Sequence, residues 1–138
     1  MTGWLNKIHH GHAMDVLRRM PDNMVDCVIT SPPYWGLRSY GTEPVAWDGD
    51  PACQHEWKLE RKQTGHKHWN QGGKVIPSNE RGIHNGRIVK IGFCRRCGAW
   101  RGSLGLEPDL HLYLDHLMQI FDEVRRVLKP TGCLFVNL

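Results

Sequence analysis

Two groups of residues in this 138-residue chain have the types and spacing to do chemistry. The first is the run Thr30-Ser31-Pro32-Pro33-Tyr34-Trp35. Its prolines fix the backbone, aim carbonyl oxygens outward and carry no competing N–H. Ser31 offers a hydroxyl that both donates and accepts. Tyr34 and Trp35 offer flat faces on which a nucleobase can stack. Together they suit an exocyclic amine: two acceptors orient the NH2 group and free its lone pair to attack a methyl-sulfonium. A base inside a duplex reaches such a pocket only if it is flipped out. The competing reading is a rigid turn with buried aromatics.

The second group is Cys53-Gln54-His55 with Cys94-Arg95-Arg96-Cys97. Two thiolates from a Cys-x-x-Cys, a third from Cys53 and an imidazole suit tetrahedral zinc and leave no open position, so the ion is structural. His66 or His68 could replace His55, which the Cys-x-His spacing favours. Gly98 fits a knuckle turn that lets backbone N–H groups approach the thiolates. His9, His10, His12, His111 and His116 fall outside this set and read as surface or partly buried side chains. An odd count of five cysteines with one tight pair argues against a secreted disulfide framework.

Charge is unevenly placed around these groups. The whole chain is formally +4, yet residues 50–101 hold 11 basic against 4 acidic residues. Trp57, Trp69 and Trp100 are interleaved with that charge, a pattern that meets a polyanion better than it meets solvent alone. A zinc knuckle would hold Arg95, Arg96 and Arg101 ready for phosphate contacts.

The elements that must position these groups fall into three regions. In residues 1–49, Lys7-Ile8-His9-His10 could be a short strand. Ala13 to Met20 reads as a helix with Met14, Leu17 and Met20 on one side, ended by Pro21-Asp22-Asn23. Val25 to Thr30 reads as a buried strand, stopped by the two prolines. Residues 50–105 are glycine-rich and basic, with little apolar periodicity, so something other than an apolar core must organise them. In residues 106–138, Leu110, Leu114, Leu117, Phe121, Val124 and Leu128 recur at spacings of 4, 3, 4, 3 and 4, one face of a helix. Pro108 and Asp109 suit its first turn, Arg125, Arg126 and Lys129 its last. Cys133 to Leu138 reads as another buried strand. No stretch approaches the about 20 apolar residues that span a bilayer.

Thr30 to Trp35 resembles motif IV of the DNA amino-methyltransferases, in the Ser-Pro-Pro-Tyr form common among cytosine-N4 enzymes. Gly36-Leu37-Arg38-Ser39-Tyr40-Gly41 is also similar to that family, especially to phage and prophage members. Ile8 to Leu17 resembles the preceding motif, a strand followed by Gly-Asp, although His12 stands where Asp is expected after Gly11. Residues 109–138, with the run Phe121 to Gly132, resemble the helix and strand that follow motif IV.

The resemblance implies an α/β chain: a partial Rossmann-like methyltransferase fold with an inserted zinc-ribbon-like segment. Residues 1–49 would start the core and carry the motif, 50–105 would be the basic, zinc-binding insert, and 106–138 would return to the core. The implied activity is site-specific methylation of double-stranded DNA, as in restriction-modification, from S-adenosylmethionine to N4 of cytosine without a covalent enzyme–base intermediate. Ser31, Pro32, Pro33 and Tyr34 would hold the base. Gly11, Thr30 and Ser31 would face the cofactor. Trp35, Arg38, Arg95, Arg96 and Arg101 would contact DNA. Cys27 and Cys133 would pack in the core.

A glycine loop for the methionine end of the cofactor is also expected. Gly102-Ser103-Leu104-Gly105 is a weak candidate, and in the permuted order that the chain resembles the loop comes later, in a C-terminal half beyond Leu138. The absence of a signal core at the N-terminus points to the cytoplasm, bacterial or phage-infected. The alternatives are an adenine-N6 DNA methyltransferase, a protein or RNA amide methyltransferase, and a non-catalytic, zinc-stabilised nucleic-acid-binding remnant. Ser31 and the lack of an upstream Gly-x-Gly count against the amide enzymes.

Overall fold

The computed structural model describes residues 3–37, 39–63, 68–69, 75–76 and 88–138. Arg38 and His66 lie outside the described residues, as does the side chain of His68. The chain is mixed α/β and divides into two compact units: Met1–Pro32 with Leu114–Leu138, and Pro33–Tyr113. Among the described residues no helix is long and apolar enough to cross a membrane.

The first unit holds helix α1 (Ala13–Arg19) and strand β1 (Val25–Thr30). It also holds most of α2 (Leu110–Val127) and all of β8 (Leu128–Val136). β1 and β8 pair in parallel, which requires a long crossover between them. Cys27 to Thr30 partner Cys133 to Val136, while Val25 partners Leu128. The segment Lys129-Pro130-Thr131-Gly132 bulges out between those registers, one of the few places where a strand accommodates a proline. The second strand therefore begins at Leu128 in the structure, five residues before the Cys133 expected from sequence.

Several expectations fail in this unit. Lys7 to His10 is not a strand, and Ile8 is 99% exposed. Among the described residues β1 and β8 each have one paired neighbour, and they are not buried: Ile29 is 80% and Phe135 59% exposed, and Cys27 and Cys133 are exposed, not core residues. The buried face of α2 is also rotated. Leu117 and Val124 are buried as expected, but Leu110 and Leu114 are exposed, and Tyr113, His116 and Val127 are buried in their stead. Tyr113, Leu117, Ile120, Val124 and Val127 form a second apolar row beside the first, and periodicity cannot choose between adjacent rows. His116, expected at the surface or partly buried, is fully buried. Asp109 sits just outside α2, where its Oδ1 accepts the Leu112 N–H at 3.0 Å as an N-cap.

Arg126 ties this unit together. Its guanidinium donates to the carbonyls of Leu17 at 2.7 Å and Met20 at 2.9 Å. Both lie at the end of α1, where the Leu17 carbonyl also accepts the Met20 N–H at 2.9 Å. It also pairs with Asp22 and Glu123. Backbone N–H groups of Asn23 and Met24 continue the attachment onto Arg126 and Val127 carbonyls.

The second unit is built on a four-stranded antiparallel sheet. Its strands are β2 (Val45–Trp47), β3 (Trp57–Gln63), β6 (Ile88–Cys94) and β7 (Trp100–Gly102), in the order β2-β7-β6-β3. Two short strands, β4 (His68–Trp69) and β5 (Val75–Ile76), form a separate antiparallel pair. Trp47 and Trp100 are cross-strand partners and both are buried. The Trp47 indole N–H donates to the Gly102 carbonyl at 3.1 Å, giving its polar edge a partner.

Candidate functional site

Ser31 and Pro32 follow the carboxyl end of β1. Ser31 is exposed and Pro32 buried. Asn137, just past β8, holds this strand end: its N–H donates to the Thr30 carbonyl at 3.0 Å and its amide Nδ2 to Ser31 Oγ at 3.4 Å. Gly11 is exposed in the bend before α1.

The rest of the motif lies in the second unit and is bound there by residues that the sequence did not single out. The Tyr113 hydroxyl donates to the Pro33 carbonyl at 2.9 Å. The Trp35 indole N–H donates to the Glu107 carbonyl at 3.2 Å. The Gly36 N–H donates to the Gly105 carbonyl at 2.9 Å. Gly105 has φ +88°, and a Cβ there would stand 3.0 Å from the Tyr34 carbonyl oxygen and 3.3 Å from the Pro33 side chain, so only glycine serves. The buried Glu107 carboxylate accepts the Gly105 N–H at 2.8 Å. Burial, with Glu107, Tyr40 and Tyr34 nearby, pushes the Tyr113 phenol above its ordinary pKa. Tyr34 is half-buried and Trp35 exposed. Gly102 to Gly105, a weak candidate for a cofactor loop, thus includes the backing of the Pro33–Gly36 turn. The only sequence signal for this role was an acid, Glu107, set in an apolar stretch.

The four residues Cys53, His55, Cys94 and Cys97 come together with their ligand atoms all within 4.8 Å of one another. Cys53 Sγ and Cys94 Sγ are 4.0 Å apart, and Cys97 Sγ and His55 Nδ1 3.4 Å. Ligands about 2.3 Å from a tetrahedral zinc stand about 3.8 Å apart, so the set fits that ion. Cys94 ends β6, and residues 95–98 form a tight turn closed by the Gly98 N–H on the Cys94 carbonyl at 3.1 Å. The Arg96 backbone N–H lies 3.4 Å from Cys94 Sγ, and the backbone N–H of Cys97 also acts on that sulfur. Gly98 supplies the turn, with φ +76°. Gly49 backs the cluster, since a Cβ there would stand 2.6 Å from Ala99 Cβ and 2.9 Å from Cys97 Sγ.

The thiols do not share one electrostatic environment. Burial, with Cys97 and Cys94 beside it, pushes the Cys53 thiol up to about 11. Burial acts on Cys94 too, but the backbone N–H groups of Cys97 and Arg96 and the His55 ring outweigh it and pull that thiol down to about 6. Adjacent thiolates repel one another, and a cation between them removes the conflict.

Arg95 and Arg96 project from the turn beside the cluster, and both reach Glu56: Arg95 Nη1 to Oε1 at 3.4 Å and Arg96 Nε to Oε2 at 3.6 Å. All three side chains are more than half exposed. Arg101 is half-buried on β7.

A family model described as DNA methylase matches residues 25–138. Among curated proteins, the chain is 61% identical over 131 residues to the Type II methyltransferase M.XycI of Xanthomonas campestris pv. cyanopsidis, covering 95% of this chain and 24% of that protein. It is 27% identical to the Type II methyltransferase M.Cfr9I of Citrobacter freundii, with the same two coverages. It is 26% identical to the Type II methyltransferase M.SmaI of Serratia marcescens, covering 96% of this chain and 25% of that protein. The chain thus spans about a quarter of the length of these relatives. No solved structure gives a significant match.

Proposed function

Because this chain belongs to the N6/N4 DNA methylase family, we propose that it carries the target-base motif of a Type II enzyme that methylates N4 of a flipped cytosine in double-stranded DNA. The observation that carries this reading is Ser31-Pro32-Pro33-Tyr34 at the carboxyl end of β1, the end at which open α/β sheets bind ligands. The serine in the first position favours cytosine over adenine.

In this reading Ser31 Oγ and the Pro32 carbonyl accept hydrogen bonds from the target amine. Such bonds orient the NH2 group and leave its lone pair free. Tyr34 stacks on the base, and Trp35 occupies the space beside it. S-adenosylmethionine is the usual cofactor of the family, and when bound it supplies a methyl group on a sulfonium that an amine can attack directly. Gly11, Thr30 and Ser31 are the residues of this chain that would face it. The exposed Gly11 and Ser31 leave room for a ligand, which fits that role. The parallel β1–β8 pair joined through α2 would be one part of a Rossmann-like sheet.

Cys53, His55, Cys94 and Cys97 would hold a structural zinc in a zinc-ribbon-like insert spanning residues 50–105. The distances within the cluster and the knuckle turn at Cys94 support this. The zinc would supply the organisation that a polar segment lacks, and would seat Arg95, Arg96 and Arg101 for phosphate contacts. Arg38 completes the proposed DNA contacts.

The test is direct. The whole protein is incubated with labelled S-adenosylmethionine and DNA, and the methylated nucleosides are separated by mass. N4-methylcytosine supports the reading. N6-methyladenine moves the enzyme to the other substrate class, and no transfer by a folded, cofactor-binding protein ends the proposal.

A further inference from the structure

A turn that must aim two acceptors at a small amine needs a rigid support, because a misplacement of about 1 Å costs on the order of 100-fold in rate. Proline restrains φ but leaves the turn free to swing as a body. Three contacts within the second unit remove that freedom. Tyr113, in the first turn of α2, holds the Pro33 carbonyl at 2.9 Å. Gly105 holds the Gly36 N–H at 2.9 Å, and Glu107 holds the Trp35 indole at 3.2 Å. Tyr113, Gly105 and Glu107 are buried, while Trp35 and Gly36 on the turn side of these contacts are exposed.

We propose that Tyr113 is a positioning residue for the target-base turn: by tying down the Pro33 carbonyl it orients the Pro32 carbonyl that receives the amine. The link is covalent. The Pro32 carbonyl and the Pro33 nitrogen and Cα share one peptide plane, and Pro33 has its φ restrained by its ring. Anchoring the Pro33 carbonyl therefore leaves ψ of Pro33 as the one soft torsion between the tether and the preceding C=O, and limits how far that C=O can swing. The tether also separates the two proline carbonyls by role, since that of Pro33 is engaged by a phenol. The raised pKa of Tyr113 agrees with this, because the hydroxyl remains a donor throughout the neutral range. This inference rests on the methyl-transfer reading for its functional meaning, but not for the tether itself.

The experiment uses Tyr113→Phe in the whole protein, which removes one oxygen. Steady-state methylation and hydrogen exchange at the Gly36 amide are both measured. The expected result is a fall in kcat on the order of 10- to 100-fold, with KM for S-adenosylmethionine changed by about two-fold at most. Gly36 exchange rises about 10-fold, and the thermal midpoint moves by only a few degrees. Should Tyr113→Phe not fold, Trp35→Phe removes only the indole donor to Glu107, and a rise in Gly36 exchange is expected there too. Unchanged kcat and unchanged exchange overturn the tether, as does a change confined to KM. If Gly36 exchange rises while the unmodified protein methylates no DNA, the tether stands and the methyl-transfer reading falls.

Discussion

Cys53 Sγ lies 4.0 Å from Cys94 Sγ, across 41 positions of sequence. Nothing local brings them together. The antiparallel pairing of β3 with β6 does so, placing Trp57 opposite Cys94 and hence the Cys53–His55 segment beside the Cys94–Cys97 turn. Purified protein is expected to contain about one zinc per chain, and Cys94→Ser or Cys97→Ser to lose it. Metal analysis of both variants beside the unmodified protein checks this. Zinc-free protein with unaltered exchange protection in β3 and β6 would refute a structural ion.

Gly49 tests the packing behind the same cluster. Its φ is +78°, and a Cβ there would overlap Ala99 and Cys97. Gly49→Ala should destabilise the second unit by about 2 kcal/mol or more. Gly3 has open space around it, and Gly3→Ala should fall within about 0.5 kcal/mol. Urea unfolding of the two variants compares them.

Glu56 pairs with both Arg95 and Arg96. If those arginines meet phosphates, Glu56→Gln should tighten DNA binding, since it removes a competing carboxylate. Charge reversal at both arginines should weaken binding and reduce the slope of log K against log salt by roughly 2. Titrations at several salt concentrations measure both effects. An unchanged slope in the double reversal would remove the turn from the DNA contact surface.

Arg126 and Lys129 make a contrast in the first unit. Arg126 satisfies the Leu17 and Met20 carbonyls in a partly buried setting, whereas the Lys129–Asp26 pair, at 2.6 Å, is exposed on both sides. Arg126→Ala is expected to lower stability more than Lys129→Ala does, since it removes hydrogen bonds to two backbone carbonyls as well as its ion pairs. Comparable losses from the two would show that Arg126 is no more than another surface charge.

Tyr113 gives stability a pH limit at the alkaline side. Burial, with Glu107, Tyr40 and Tyr34 nearby, raises its folded-state pKa above the ordinary 10.0. Its contribution is therefore fully present below pH 10.0 and is lost as pH rises from there through the higher folded value. Denaturation followed between neutral and strongly alkaline pH should show Tyr113→Phe losing less stability than the unmodified protein over that window.

Much of this was legible before any fold was known. The Ser-Pro-Pro-Tyr-Trp run, the Cys-x-His and Cys-x-x-Cys pairs and the basic middle are signals of residue type and short spacing. The strand at Val25 and the long helix before Pro130 are signals of local periodicity. None of these depends on what lies opposite in space. The errors arose where an answer needed a neighbour. Periodicity showed that α2 is amphipathic, but two adjacent apolar rows competed, and only the packing around Tyr113 and His116 chose between them. The β-branched run at Val25 to Thr30 reads as buried whether or not anything covers it, and with one paired strand beside it Ile29 is exposed.

By itself, then, the sequence determined the family and marked out the Ser31–Tyr34 run and the Cys/His pairs, because each is written in a few nearby residues or in pairs of recognisable spacing. Only the tertiary structure decided what supports that turn. Tyr113 lies 80 positions from Pro33 and Glu107 lies 72 from Trp35. A hydrogen bond to a backbone carbonyl places no demand on residue type at the accepting end, so it leaves no trace in the sequence until the chain has folded.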